Sequence, residues 1–306
     1  MPAYGLHLKQ VLNQQAFLAA PYISRLIIAD PYSHSIEPGV IWLTKHYLEP
    51  HLDYHAVTFP MAHHYYGGDV HAESGIWSPS TSTTNFCEED YAVTRYIAEF
   101  ISSISNLAYV YLALRHAGWR ISRLDQMSAS LLMVGVCSFL YHASLRLTPQ
   151  FSDELSMHFL AGALLQRLYT SGRSPGTARG MTVAIYTCIG TMSAIYMRSG
   201  NLDVHMAMFV AMLALIGLRT VYLIDRRAVS STQRRGYVRK FGSVCAYLAV
   251  GFLLWNIDLQ WCYELRGLRN RVGLPWAWLL ELHGWWHVLT AIGASLYMEL
   301  TRELCP

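Results

Sequence analysis

Long apolar runs separated by short polar segments fill the chain from about residue 91 to residue 300. Three of these runs, at 127–145, 180–197 and 241–257, contain no Asp, Glu, Lys or Arg and have the length that a helix needs to cross a bilayer. Helices are expected because every backbone polar group must be satisfied inside lipid. The pattern predicts seven spanning helices, at about 94–114, 127–145, 153–172, 180–197, 204–224, 241–257 and 276–298.

The first part of the chain has a different character, because Pro, His, Asp and Gly interrupt it throughout. Its longest apolar run, at 16–29, contains Pro21 and Arg25 and is too short to cross a membrane. We interpret residues 1–74 as a polar, flexible N-terminal extension. Residues 75–300 then form an all-α membrane domain, and residues 301–306 form a short tail.

The composition fits a membrane protein and excludes several other classes. Of 306 residues, 53% are hydrophobic and only 14% are charged, against about 25% charged residues in an ordinary soluble domain. Disordered chains and disulfide-dense secreted scaffolds have other compositions. The net charge of +3 gives no basic field of the kind that binds nucleic acid. No feature of the sequence indicates an obligate protein partner.

The basic residues predict the orientation of the helices in the membrane. They are concentrated in the loops after the first, third and fifth spans and in the C-terminal tail. Loops rich in Lys and Arg remain on the cytosolic side. The N-terminus is therefore expected in a lumen and the C-terminus in the cytosol, in a membrane of the endoplasmic reticulum or the Golgi.

Polar side chains lie at the ends of three spans, and with this orientation all of them face the lumen. They are Ser138 and His142 in the second span, Asp153 in the third, and His283 and His287 in the seventh. Histidines at positions i and i+4 share a helix face and can bind one ion. Three neutral imidazoles with an open fourth position are typical of catalytic zinc. A single histidine in an apolar helix more often packs, and His158 and His205 are interpreted in that way.

A second polar group precedes the first span, in the segment 85–90, and continues with Glu99 inside the span. Its oxygen-bearing side chains are close enough along the chain to suit a hard cation such as calcium. The simpler alternative is an acidic first turn, which the helix dipole favours. Glu99 favours the cation, because a carboxylate in an apolar span needs a partner.

The ordered motifs of the chain resemble those of the alkaline ceramidases. The similarity covers about residues 75–300 and rests on WSPSTST (77–83), NFCEEDY (85–91), YIAEF (96–100), SNL (105–107), GVCSFLYH (135–142), DEL (153–155) and HGWWH (283–287). The resemblance implies a seven-helix intramembrane hydrolase. Such an enzyme cleaves the amide of ceramide, including dihydroceramide or phytoceramide, to a sphingoid base and a fatty acid.

The resemblance also implies roles for individual residues. The implied zinc ligands are His142, His283 and His287. Ser138 would stabilise the oxyanion, and Asp153 would act as general base and then pass its proton to the leaving amine. The implied calcium ligands are Asn85, the carbonyl of Phe86, Glu88, Asp90 and Glu99. The family usually has Asp, Trp and Asn at positions 85, 86 and 90, so the summed ligand charge is unchanged here.

Only Cys87 and Cys262 of the six cysteines fall in predicted lumenal segments, where an oxidising compartment permits a disulfide. The resemblance implies the same pair. We therefore predict a Cys87–Cys262 bond between the calcium segment and the loop before the seventh span, with two free thiols as the alternative.

A different functional class shares part of this pattern. The progestin and adiponectin receptors also have seven spans, three histidines and a nearby Ser and Asp, and they act in signalling. Their N-terminus is expected in the cytosol, opposite to the orientation that the basic loops predict here. The acidic segment before the first span also favours the ceramidase interpretation.

Overall fold

The computed structural model describes residues 69–306, and the secondary structure of this part is helical, without a β-strand. The α-helices are α1 (Phe100–Ser105), α2 (Leu107–His116), α3 (Gln126–Ser144), α4 (Leu147–Thr170), α5 (Pro175–Ser199), α6 (Leu202–Arg227), α7 (Ser231–Gln260), α8 (Cys262–Val272) and α9 (Leu282–Leu304). Short 3-10 helices occupy Ile121–Arg123 and Trp276–Leu280. Most of the interpreted extension, up to residue 68, lies outside the described residues.

Four helices are long and apolar enough to cross a membrane: α3, α5, α6 and α7. They contain 19, 25, 26 and 30 residues, and about 20 residues are needed to span the hydrocarbon core. Helices α4 and α9 are also long, with 24 and 23 residues. The chain is therefore an all-helical protein with apolar helices of membrane-spanning length.

Several of the expected spans have different boundaries in the structure. Helix α4 begins at Leu147 instead of about residue 153, and α7 begins at Ser231 instead of about residue 241. The first and last spans, in contrast, begin later than expected. The first, expected at 94–114, begins only after Glu99, whose backbone is extended, and Asn106 divides it into α1 and α2. The last, expected from residue 276, begins at Leu282, because Trp276–Leu280 form a 3-10 helix after Pro275. The apolar composition predicts a helix in both the first and the last span, but it does not show where a helix is interrupted.

Local sequence signals explain where several helices begin. The side chains of Asp125, Ser174 and Ser230 accept backbone N–H groups in the first turns of α3, α5 and α7. Pro175 occupies the first position of α5, where its missing N–H costs nothing. Helix α5 ends at Gly200, which has a φ of 63°, a conformation that glycine adopts without strain.

The helices pack around a continuous apolar core. Helix α9 packs between α7 and α2, α3 packs against α2 and α4, and α4 packs against α5 and α6. Leu131, Leu168 and Met298 are fully buried in this core. Helices α3 and α2 approach each other closely, because a Cβ atom on Gly135 would lie 2.8 Å from the Cβ of Tyr109.

Gly135 therefore provides a test of the α2–α3 contact. We expect Gly135→Ala to destabilise the protein by about 1–3 kcal/mol, since the added methyl group must push the two backbones apart. The matched control is Gly190→Ala on α5, where an added Cβ meets no atom within 4 Å. Thermal unfolding in detergent measures both variants. Equal melting temperatures for Gly135→Ala and Gly190→Ala would contradict the described packing.

Candidate metal centre

Three histidines from two helices converge at one end of the bundle. His142 lies in the last turn of α3, and His283 and His287 lie in the first turns of α9. All three side chains are buried, and one ligand atom from each lies within 4.8 Å of the others. Within residues 69–306, no other set of three His, Cys, Asp or Glu side chains meets this criterion. The i, i+4 spacing on α9 brings its two rings to the same face.

Hydrogen bonds to the Nδ1 atoms orient two of the rings. His287 Nδ1 donates to the carbonyl of Ser102 at 3.1 Å, with Ser105 Oγ 2.8 Å away. His142 Nδ1 contacts the carboxylate of Glu99. A carbonyl and a carboxylate only accept, so each Nδ1 carries the proton and each Nε2 keeps its lone pair for a ligand. Such partners fix the tautomer of a metal-binding histidine.

His283 completes the cluster, one helical turn before His287 on α9. Its Nε2 lies 3.3 Å from the Nε2 of His142, and the ring of Phe86 stacks on it with centroids 3.6 Å apart. Its Nδ1 has no hydrogen-bond partner among the described residues. Two imidazole nitrogens at this distance repel unless a proton or a cation lies between them. The buried nitrogen donor set therefore fits zinc, which prefers such ligands.

A serine and a carboxylate adjoin the histidines. Ser138 lies one helical turn before His142 on α3, is buried, and adjoins the side chain of Asp153 on α4. Asp153 keeps some exposed surface. The neighbouring Glu154 faces a different way, since its carboxylate accepts from the Tyr196 hydroxyl and from Gln150 Nε2 at 3.0 Å. Of the two adjacent acids, Asp153 is thus the one beside the histidine centre.

The acidic segment before α1 is folded against the same centre. Glu88 accepts the backbone N–H groups of Ile101 and Ser102 at 2.6 and 2.8 Å, so it caps the first turn of α1. Glu99 accepts the N–H of Phe86 at 3.0 Å with the oxygen that does not contact His142. The helix-capping role anticipated as the simpler alternative is therefore real for Glu88, and Glu99 joins this segment to the histidines.

The side chains expected to bind calcium are buried together but are less tightly grouped than the histidines. Asn85, Glu88, Asp90 and Glu99 are all buried, and Asn85 Nδ2 donates to the Asp90 carboxylate at 3.3 Å. Burial and the negative charges of Glu99 and Asp69 raise the pKa of Asp90 to about 7. A bound cation would stabilise this concentration of buried carboxylates, and the oxygen donors suit a hard ion.

A disulfide joins the acidic segment to α8. Cys87 and Cys262 are bonded, as expected, with their Cα atoms 5.2 Å apart. Arg269 on α8 donates to the carbonyl of Cys87 at 2.7 Å and forms a buried ion pair with Glu281. These contacts hold the acidic segment next to the end of α3 and the start of α9. The sequence predicts that these helix ends face the lumen.

Two functional contributions escaped the sequence interpretation. Asp258, near the end of α7, accepts the N–H of Cys87 at 3.1 Å and that of His283 at 3.3 Å, so it couples the acidic segment to α9. A fully buried carboxylate near the end of an apolar span is the signal that could have identified it. No feature of the sequence identified Ser102 and Ser105 as hydrogen-bond partners of His287.

The histidines interpreted as packing residues, His158 and His205, contact each other, with ring centroids 4.7 Å apart.

Comparison with known proteins identifies the family of the chain. The family model described as ceramidase matches residues 78–304. The chain is 30% identical to "Alkaline ceramidase 3" of Mus musculus over 234 residues, which is 73% of this chain and 84% of the relative. It is 26% identical to "Alkaline ceramidase YPC1" of Saccharomyces cerevisiae over 249 residues, covering 75% and 78% of the two chains. With "Alkaline ceramidase" of Arabidopsis thaliana it shares 25% identity over 227 residues, covering 72% and 83%. The chain therefore belongs to the ceramidase family.

Proposed function

We propose that this protein is a zinc-dependent intramembrane amidase that hydrolyses ceramide, including dihydroceramide or phytoceramide, to a sphingoid base and a free fatty acid. The observation that carries the proposal is the buried convergence of three histidines, with Ser138 one helical turn from His142 and Asp153 adjoining it. Membership of the ceramidase family supplies the substrate class. An amide needs an activated water, a stabilised oxyanion and a proton for its leaving amine, and the site offers a group for each.

His142, His283 and His287 would hold the zinc ion through ring nitrogens. When bound, zinc supplies a Lewis acid that polarises a carbonyl and lowers the pKa of water to about 7. Glu99, Ser102 and the Ser105 hydroxyl keep two of these rings in the tautomer that leaves Nε2 free.

Asp153 and Ser138 would carry out the proton transfer and the binding of the oxyanion. The Asp153 carboxylate takes a proton from the attacking water and later delivers it to the amine nitrogen, so one group serves both half-reactions. The Ser138 hydroxyl lies one helical turn before His142. It would donate a hydrogen bond to the amide oxygen as negative charge develops there.

We further propose that calcium binds at Asn85, the Phe86 carbonyl, Glu88, Asp90 and Glu99. Arg266 and Arg269 already donate to the carbonyls of Cys87 and Glu88, so these oxygens are occupied. The ion would have a structural role. It would stabilise the contact between Phe86 and His283 and the contact between Glu99 and His142. Calcium at this position therefore supports the zinc centre without contacting the substrate.

The proposed topology has seven spans, formed by α1 with α2, by α3 to α7, and by α9, with the N-terminus in the lumen of the endoplasmic reticulum or Golgi. Contacts at the other end of the bundle support alternating directions. Arg302 in the last turn of α9 pairs with Asp125 before α3, and Arg227 in the last turn of α6 contacts Ser171 after α4. The ends of the first, third, fifth and seventh spans thus meet on one side, where basic residues are abundant.

The zinc proposal predicts the behaviour of His283→Ala. We expect the wild type, purified with bound metal, to contain about one zinc per chain and to hydrolyse a panel of ceramide, dihydroceramide and phytoceramide in detergent. Removing one of three ligands should cost most of the zinc and more than about 100-fold in activity. Elemental analysis and fatty-acid release measure the two effects.

The control for this variant is His116→Ala, because His116 is hydrogen-bonded to Ser295 away from the three-histidine cluster. It should retain zinc and activity. Hydrolysis by metal-free His283→Ala would contradict the zinc mechanism. No hydrolysis by folded, zinc-loaded wild type with calcium present would favour the receptor-type alternative.

The proton-transfer role predicts a difference between two adjacent acids. Asp153→Asn keeps the shape of the side chain but removes the base, so kcat should fall by about 10²–10⁴-fold while zinc content stays unchanged. Glu154→Gln is the matched control, because Glu154 is the neighbouring acid and is bonded to Tyr196 and Gln150. Steady-state kinetics of both variants decide the assignment. Similar kcat values for the two would remove Asp153 from the mechanism.

The calcium proposal predicts that the ion stabilises the folded protein. Calcium at about 100 times its dissociation constant should add about 2.7 kcal/mol to the free energy of unfolding, seen as a higher melting temperature than in chelator. Asp90→Ala should lose most of this increment. Glu89→Ala, which removes the preceding and less buried acid, should keep it. Equal calcium-dependent shifts in both variants would place the ion elsewhere.

A further inference from the structure

A residue upstream of the family-model match reaches into the acidic segment. Asp69 precedes the matched region, which begins at residue 78, yet its side chain is only 4% exposed. One carboxylate oxygen pairs with Nη1 of Arg266 on α8, and the other accepts from Nη2 at 3.1 Å. The second oxygen also accepts the backbone N–H of Asp90 at 2.9 Å.

Arg266 continues this chain of contacts toward the other end of the same segment. Its Nε donates to the carbonyl of Cys87 at 2.9 Å, and its Nη2 lies 3.3 Å from the carbonyl of Glu88. Asp69 and Arg266 together therefore hold the backbone of residues 87–90 at both ends. This backbone carries Glu88 and Asp90, two of the proposed calcium ligands.

The hydrogen bonds decide which role Asp69 can have. Both of its oxygens are already directed at Arg266, and one also accepts from the Asp90 backbone. A two-pronged pair of this kind fixes orientation as well as distance. The pair is neutral overall, so it positions the segment without adding to the net charge available to a cation. Glu88 and Glu99 accept only from neutral donors, whereas the charge of Asp69 is neutralised by Arg266, so the geometry favours positioning over direct ligation for Asp69.

We infer that Asp69 is a positioning residue that sets the calcium affinity of the acidic segment through Arg266, and that the chain upstream of the ceramidase match is part of the functional unit. The inference rests on the proposed calcium site. Without Asp69, the Asp90 backbone loses its acceptor and Arg266 loses the partner that orients its contacts to Cys87 and Glu88. Calcium binding must then also order the segment, and the free energy that this ordering costs lowers the affinity for calcium.

The test measures calcium affinity in the full chain by calorimetric titration in calcium-free detergent. Asp69→Asn removes the charge while keeping an oxygen that can accept the Asp90 N–H. We expect its dissociation constant for calcium to rise about tenfold, equivalent to about 1.4 kcal/mol. The matched control is Glu73→Gln, because Glu73 is an exposed acid in the same upstream segment. Its affinity should equal that of the wild type.

Arg266→Gln removes the same pair from the other side and serves as the second variant. It should also weaken calcium binding, and adding Asp69→Asn to it should cause less than a twofold further change, because the two residues act together. Calcium affinity separates positioning from general stability: a purely structural contact would lower the melting temperature equally with and without calcium.

The outcomes distinguish this inference from the proposed function. Wild-type calcium affinity in Asp69→Asn, with or without a lower melting temperature, would overturn the inference and leave the calcium site intact. Independent, additive losses in the two variants would also overturn it. No calcium binding by the wild type would overturn both the calcium site and the inference, while zinc content and ceramide hydrolysis would still test the catalytic proposal.

Discussion

The contact between Glu99 and His142 joins the two halves of the candidate site. Glu99 also accepts the N–H of Phe86, whose ring stacks on His283. One carboxylate therefore orients a histidine of the metal centre and holds the acidic segment against that centre. Because Glu99 is fully buried, these contacts are required: an unpaired carboxylate in this environment would cost several kcal/mol.

The same constraint governs the rest of the site, since a polar group inside an apolar bundle must have a partner. Asp258 takes backbone donors from two segments, and Glu88 takes two from the start of α1. The disulfide between Cys87 and Cys262 fixes the acidic segment to α8. The segment is thus a built component of the candidate site and not a loop beside it.

The position of the site at the ends of the helices follows from this requirement. Charged and hydrogen-bonding side chains cluster at the end of α3 and at the starts of α4 and α9, where they can share partners. The apolar middle parts of the helices form the core.

The sequence alone determined the helical class, the approximate spans, the three histidines and the cysteine pair, because hydrophobic runs, i, i+4 spacing and ordered motifs are local properties. It did not determine the break at Asn106 or the 3-10 turn before Leu282, which composition does not record. Only the tertiary structure assigned Glu99 to His142 and Asp69 to Arg266. Those pairings join residues far apart in the chain, and packing decides which buried charge meets which partner.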